Sequence, residues 1–94
     1  MSNRINQSHL MNLLNRINKA AGANPKAWST VDNRWTANVG TYALDWAYGG
    51  VCLVQMMNES GGERNITQRA SKRETYWQMD AFLLGLEADQ KRNK

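Results

Sequence analysis

Thr41-Tyr42-Ala43-Leu44-Asp45-Trp46-Ala47-Tyr48-Gly49-Gly50-Val51-Cys52-Leu53-Val54-Gln55-Met56-Met57 is the stretch that decides the fold. Tyr42, Leu44 and Trp46 alternate with Ala43, Asp45 and Ala47, which is the period-2 pattern of a strand over residues 41–47. Tyr48-Gly49-Gly50 is a turn signal. Residues 51–58 then read as a second strand, with Cys52, Val54 and Met56 on one face and Val51, Leu53 and Met57 on the other. Apolar residues on both faces predict a central strand, covered on one side by helices. Ser60-Gly61-Gly62 makes the next turn, and residues 63–67 form a short third strand anchored by Ile66. The three strands make an antiparallel meander.

Helical periodicity flanks this meander. Leu10, Leu13, Leu14 and Ile17 stand at i, i+3, i+4 and i+7, which predicts an amphipathic helix over residues 8–21. Asn6 or Ser8 supplies its N-cap, Gly22 its C-terminal glycine, and Pro25 follows where no helix continues. On the far side, residues 71–89 read as a second helix. Ser71 with Glu74 three residues on forms a capping box. Tyr76, Met79, Phe82, Leu83 and Leu86 make one apolar stripe, and Trp77 with Leu84 makes a second, roughly 100° round the helix. Gly85 inside this pattern costs about 1 kcal/mol relative to Ala, so it marks either a close backbone approach or an early helix end. Residues 26–38 admit two readings. One is a hairpin turning at Asp32-Asn33; the other is a loop pinned by Trp28 and Trp35. The expectation is a single α+β domain over residues 1–94: a two-layer α-β-β-β-α arrangement with both helices on one face of the sheet. Its core spans roughly residues 8–88, and residues 89–94 form a polar, frayed tail.

Composition bounds the function. The chain has 94 residues, a net charge of +4, one Cys, one His and one Pro. One Cys excludes an internal disulfide framework and a thiolate zinc cluster. No apolar run approaches the ~20 residues that span a bilayer, and the first residues lack a signal-peptide pattern. A soluble cytoplasmic protein with no membrane role is expected. Self-association would help so small a core, so a homodimer is one expected state.

Catalytic sets are sparse. His9 stands at a helix start, and Cys52 lies between Val51 and Leu53 as a small buried hydrophobe. Asp45 sits mid-strand; if that face is covered it needs an Arg partner such as Arg34 or Arg64. The glycine pairs lack the Lys and spacing of a phosphate loop. The reading is therefore no enzyme, no catalytic residue, no metal site and no cofactor.

The charge is uneven. Arg64, Arg69, Lys72 and Arg73 cluster from the third strand into the start of the second helix. Double-stranded-RNA-binding domains share the α-β-β-β-α order and contact phosphates from such a helix start. The alternative function is therefore nucleic-acid binding through these four residues. The family's loop His and lysine run are missing here, and Glu63 and Glu74 dilute the patch.

A further pattern runs through Asn38-Val39-Gly40-Thr41-Tyr42, Ala47-Tyr48-Gly49-Gly50-Val51 and Met57-Asn58-Glu59-Ser60-Gly61-Gly62. It continues in Lys72-Arg73-Glu74 and Ala81-Phe82-Leu83-Leu84-Gly85-Leu86. Over roughly residues 10–87 the chain resembles small accessory proteins encoded in bacteriophage and prophage genomes. The motifs are turn glycines and a helix start, so no catalytic residue comes with them. The resemblance implies a phage accessory protein in the bacterial host cytoplasm. Such proteins bind and inhibit or redirect a host or phage protein, host-defence machinery of the CRISPR type included. The residues that point to a protein partner are Trp77 and Leu84, with Arg73 on the same side of the second helix.

Overall fold

A computed structural model describes residues 5–92. Two helices flank five strands: α1 (Gln7–Ala21), β1 (Trp28–Val31), β2 (Arg34–Ala37), β3 (Tyr42–Ala47), β4 (Gly50–Met56), β5 (Glu63–Asn65) and α2 (Lys72–Arg92). The α+β class expected from the sequence holds, while the hairpin after α1 adds two strands to the expected α-β-β-β-α order. The strands form two sheets, a β1–β2 hairpin and a β3-β4-β5 meander, all antiparallel.

α1 starts where its cap directs. The Asn6 side chain accepts from the His9 backbone N–H at 3.1 Å, and His9 Nδ1 accepts from the Asn6 N–H at 3.1 Å. The box thus satisfies two donors that the first turn leaves unpaired. Gly22 closes the helix in the left-handed conformation, with its N–H returned to the Asn18 and Lys19 carbonyls.

The meander keeps its predicted pairing. Leu44 faces Leu53, and Trp46 faces Val51, on the side that carries the helices. Leu10, Leu13, Leu14 and Ile17 of α1 pack there with Tyr42, Val51, Leu53, Met79 and Leu83. Tyr42 and Phe82 meet edge to face at 5.4 Å between ring centres. Cys52, Val54 and Met56 on the reverse face are equally buried. β4 is the central strand expected, with the helices on one side, and its other side is closed as well. Arg69 crosses to the reverse face and ion-pairs with Asp45, the register partner of Cys52.

Three C-terminal boundaries shift. β4 ends at Met56, and Met57 is exposed. β5 ends at Asn65, because the Ile66 and Thr67 N–H groups both donate to the Leu53 carbonyl and the strand bulges. Ile66 still packs against the core, and Ala70 re-joins β4 by exchanging two hydrogen bonds with Val51. α2 runs through Arg92, past the point where the tail was expected to begin; residues 93–94 lie outside the described residues. Gly50 is needed for the Ala70 contact, since a Cβ there would stand 2.2 Å from the Ala70 carbonyl oxygen.

Residues 26–38 form the hairpin. Asp32 and Asn33 take φ of 52° and 64°, the positive values that a type I′ turn requires at both central positions. Asn38 fastens its base, donating to the Lys26 carbonyl at 2.7 Å and the Ser29 hydroxyl at 2.9 Å.

Candidate partner-binding surface

α2 has two apolar faces because its residues repeat at two offsets. Thr75, Met79 and Leu83 are buried, with Tyr76, Phe82 and Leu86 packed around them. Thr75 also donates its hydroxyl to the Val51 carbonyl at 2.9 Å, locking the helix to β4. The opposite face carries Trp77, Ala81, Leu84 and Ala88, all exposed. Trp77 is 57% exposed and Leu84 60%. Their spacing of four, three and four residues is that of a helix-pairing seam, with large and small side chains alternating along it. Tyr76 props the Trp77 indole edge to face, at 5.5 Å between ring centres. Arg73 stands one turn before Trp77 and is exposed.

Gly85 belongs to this surface. α2 does not end there, and a Cβ at this position would meet nothing within 4 Å. Neither a helix end nor a close approach within the described residues accounts for it.

The basic cluster is divided by the fold. Arg69 donates to the Asp45 and Gly50 carbonyls, each at 3.1 Å, besides pairing with the Asp45 carboxylate. Its guanidinium therefore braces the β3–β4 turn. Asp45 pairs with Arg69, neither Arg34 nor Arg64, because the segment after β5 folds back along β4. Arg64 donates to the Gln55 side chain at 3.0 Å. Lys72 and Arg73 remain exposed in the first turn of α2. Ser71 accepts from the Glu74 N–H at 3.2 Å and caps that turn. A helix N-terminus of this kind favours negative charge.

The candidates for chemistry are engaged otherwise. His9 serves the α1 cap. Cys52 is fully buried; burial pushes its thiol up, the Arg69 guanidinium opposes this, and Asp45 and Glu63 add to the rise. Such a thiol is a poor nucleophile at neutral pH. Among the described residues no three His, Cys, Asp or Glu side chains converge, and no helix is long and apolar enough to cross a membrane.

The hairpin presents a feature that alternation alone did not reveal. Trp35 is 74% exposed and Trp28 38%, so neither indole pins the segment into a core. No family model matches the chain, and neither a curated protein nor a solved structure matches it.

Proposed function

We propose that the protein is a non-enzymatic binding module that docks a helix of a partner protein along the outer face of α2. One observation carries the reading. α2 has an exposed seam of Trp77, Ala81, Leu84 and Ala88, separate from the face that fills its own core. Exposed Trp and Leu at helix-pairing spacing lose water contact favourably when another amphipathic helix covers them. Gly85 supports the same reading, since it lowers helix stability and leaves room beside the seam. Arg73 gives that seam a cationic end.

The resemblance to phage and prophage accessory proteins supplies the setting: the bacterial cytoplasm, with a host or phage protein as target. Inhibition of a host-defence effector of the CRISPR type fits this picture. Nucleic-acid binding through Arg64, Arg69, Lys72 and Arg73 is the weaker reading, because Arg69 is committed to Asp45 and two carbonyls.

The test compares wild type with Leu84→Asp and Trp77→Ala in affinity capture from nuclease-treated host lysate, with sedimentation in parallel. The expected result is a discrete protein partner lost with both variants. A partner retained by both overturns the assignment of the surface. Loss of self-association alone would identify a second copy as the occupant. Salt-sensitive retention of nucleic acid, abolished by removing Lys72 and Arg73, would establish the other reading.

A further inference from the structure

The β1–β2 hairpin carries two indoles that its own sheet does not use. Register pairs Trp28 with Ala37 and Thr30 with Trp35, so Trp28, Thr30, Trp35 and Ala37 share one face. Trp28 is held in place by the turn between β4 and β5. A Cβ on Gly61 would fall 2.7 Å from the Trp28 ring, and Gly61 has a φ of 98°, so glycine is required there on two counts. Trp35 stands free on the diagonal. The two rings line a shallow, widely open apolar depression of about 430 Å³ to which no other residue contributes. A second cavity of about 350 Å³ shares Trp35 as a wall and is lined also by Asp32, Arg34 and Glu59. Among the described residues the one ion pair is Arg69 with Asp45, so neither Asp32 nor Glu59 is held by a cation.

We propose that this hairpin is a second binding site, for an extended proline-containing peptide segment that also carries an arginine or lysine. Two features select this occupant. The lining is apolar ring surface whose only polar groups are the indole Nε1–H donors, so it offers a ligand donors but no acceptor. Proline qualifies: its ring is compact and apolar, and its nitrogen carries no hydrogen that needs an acceptor. A polyproline II segment is also ordered before it binds, which lowers the entropic cost on so small a surface. The neighbouring cavity holds two carboxylates against one guanidinium, beside an exposed indole. A cationic side chain placed there gains ion pairing and cation–π attraction together. Sugars and nucleobases would meet this surface with their O–H and N–H donors lacking an acceptor.

The site is independent of the α2 seam, and calorimetric titration of the full chain separates the two. The probes are three synthetic peptides of equal length: one with prolines and an arginine, one with glutamate for the arginine, and one with alanines for the prolines. The expected result is saturable heat with the first peptide and none with the alanine peptide. Affinity for the glutamate peptide should fall about three- to tenfold. Trp35→Ala should abolish binding while leaving the far-ultraviolet circular dichroism unchanged, since Trp35 is mostly solvated. Glu59→Gln should weaken the arginine peptide alone. Trp77→Ala should bind the peptide as wild type does. The proposal is overturned by no saturable heat with the first peptide, or by unchanged binding in Trp35→Ala. Loss of binding in Trp77→Ala, or saturable heat with a mixed-sequence single-stranded oligonucleotide instead of the peptide, also overturns it.

Discussion

Asn18 shows how much a single polar residue can carry. It is 1% exposed and clamps Tyr42 on both sides. Its Nδ2 donates to the Tyr42 carbonyl at 3.0 Å, and its Oδ1 accepts from the Tyr42 N–H at 2.8 Å. The outer edge of β3 is thereby closed by α1 at this point. Asn18→Leu keeps the volume but leaves two buried backbone groups unpaired, so it should cost about 2–4 kcal/mol in urea unfolding. A loss below ~1 kcal/mol would mean that water replaces the clamp. Cys52 makes a second prediction. Because it is fully buried, a thiol reagent should label it only as fast as the protein opens. Its folded thiol is raised above its ordinary value of 9.0, so its contribution to stability is complete below that value. That contribution is lost as pH rises through the folded value. The stability difference between wild type and Cys52→Ala should therefore narrow above pH ~9, which urea midpoints across pH would measure. Asn18 was not legible in the sequence. It lies four residues from Leu14 and one from Ile17, and helical spacing alone cannot separate a buried clamp from a solvated amide.

At the scale of elements, α1 is the most legible piece, since its apolar stripe, N-cap and terminal glycine all agree. The hairpin was harder, because Asp32-Asn33 lacks the glycine that usually marks a type I′ turn. Both side chains tolerate positive φ, and the four-residue strands on either side then close by register. α2 was legible as a helix but not in its length: the polar run after Asp89 carries no apolar signal, yet the helix continues to Arg92. Gly85 yields a prediction at this scale. Gly85→Ala should stabilise α2 by about 1 kcal/mol in thermal unfolding, because nothing obstructs the added methyl. If the α2 seam docks a helix closely, the same variant should weaken partner binding. Stabilisation with unchanged binding would place the partner elsewhere.

Across the whole molecule, the order of the three-stranded meander and the packing of both helices on one face of it followed from the amino-acid sequence, but which face receives them did not. Period-2 and period-3.6 repeats of apolar residues are local signals, and glycine pairs mark where they change over. Tertiary structure decided the rest. Trp28 and Trp35 have the composition of core residues, yet the hairpin leaves Trp35 in water. Trp77 and Leu84 were separable from the core stripe of α2, but only the packing of α1 and β4 shows that nothing within the described residues covers them. Arg69 belonged to a charge cluster along the chain and became a brace for Asp45 in space. The physical reason is common to all three. Local periodicity records which side chains favour burial or charge, whereas the available apolar surface and the ion partners are set by residues more than twenty positions away, as with Arg69 and Asp45 at a separation of 24.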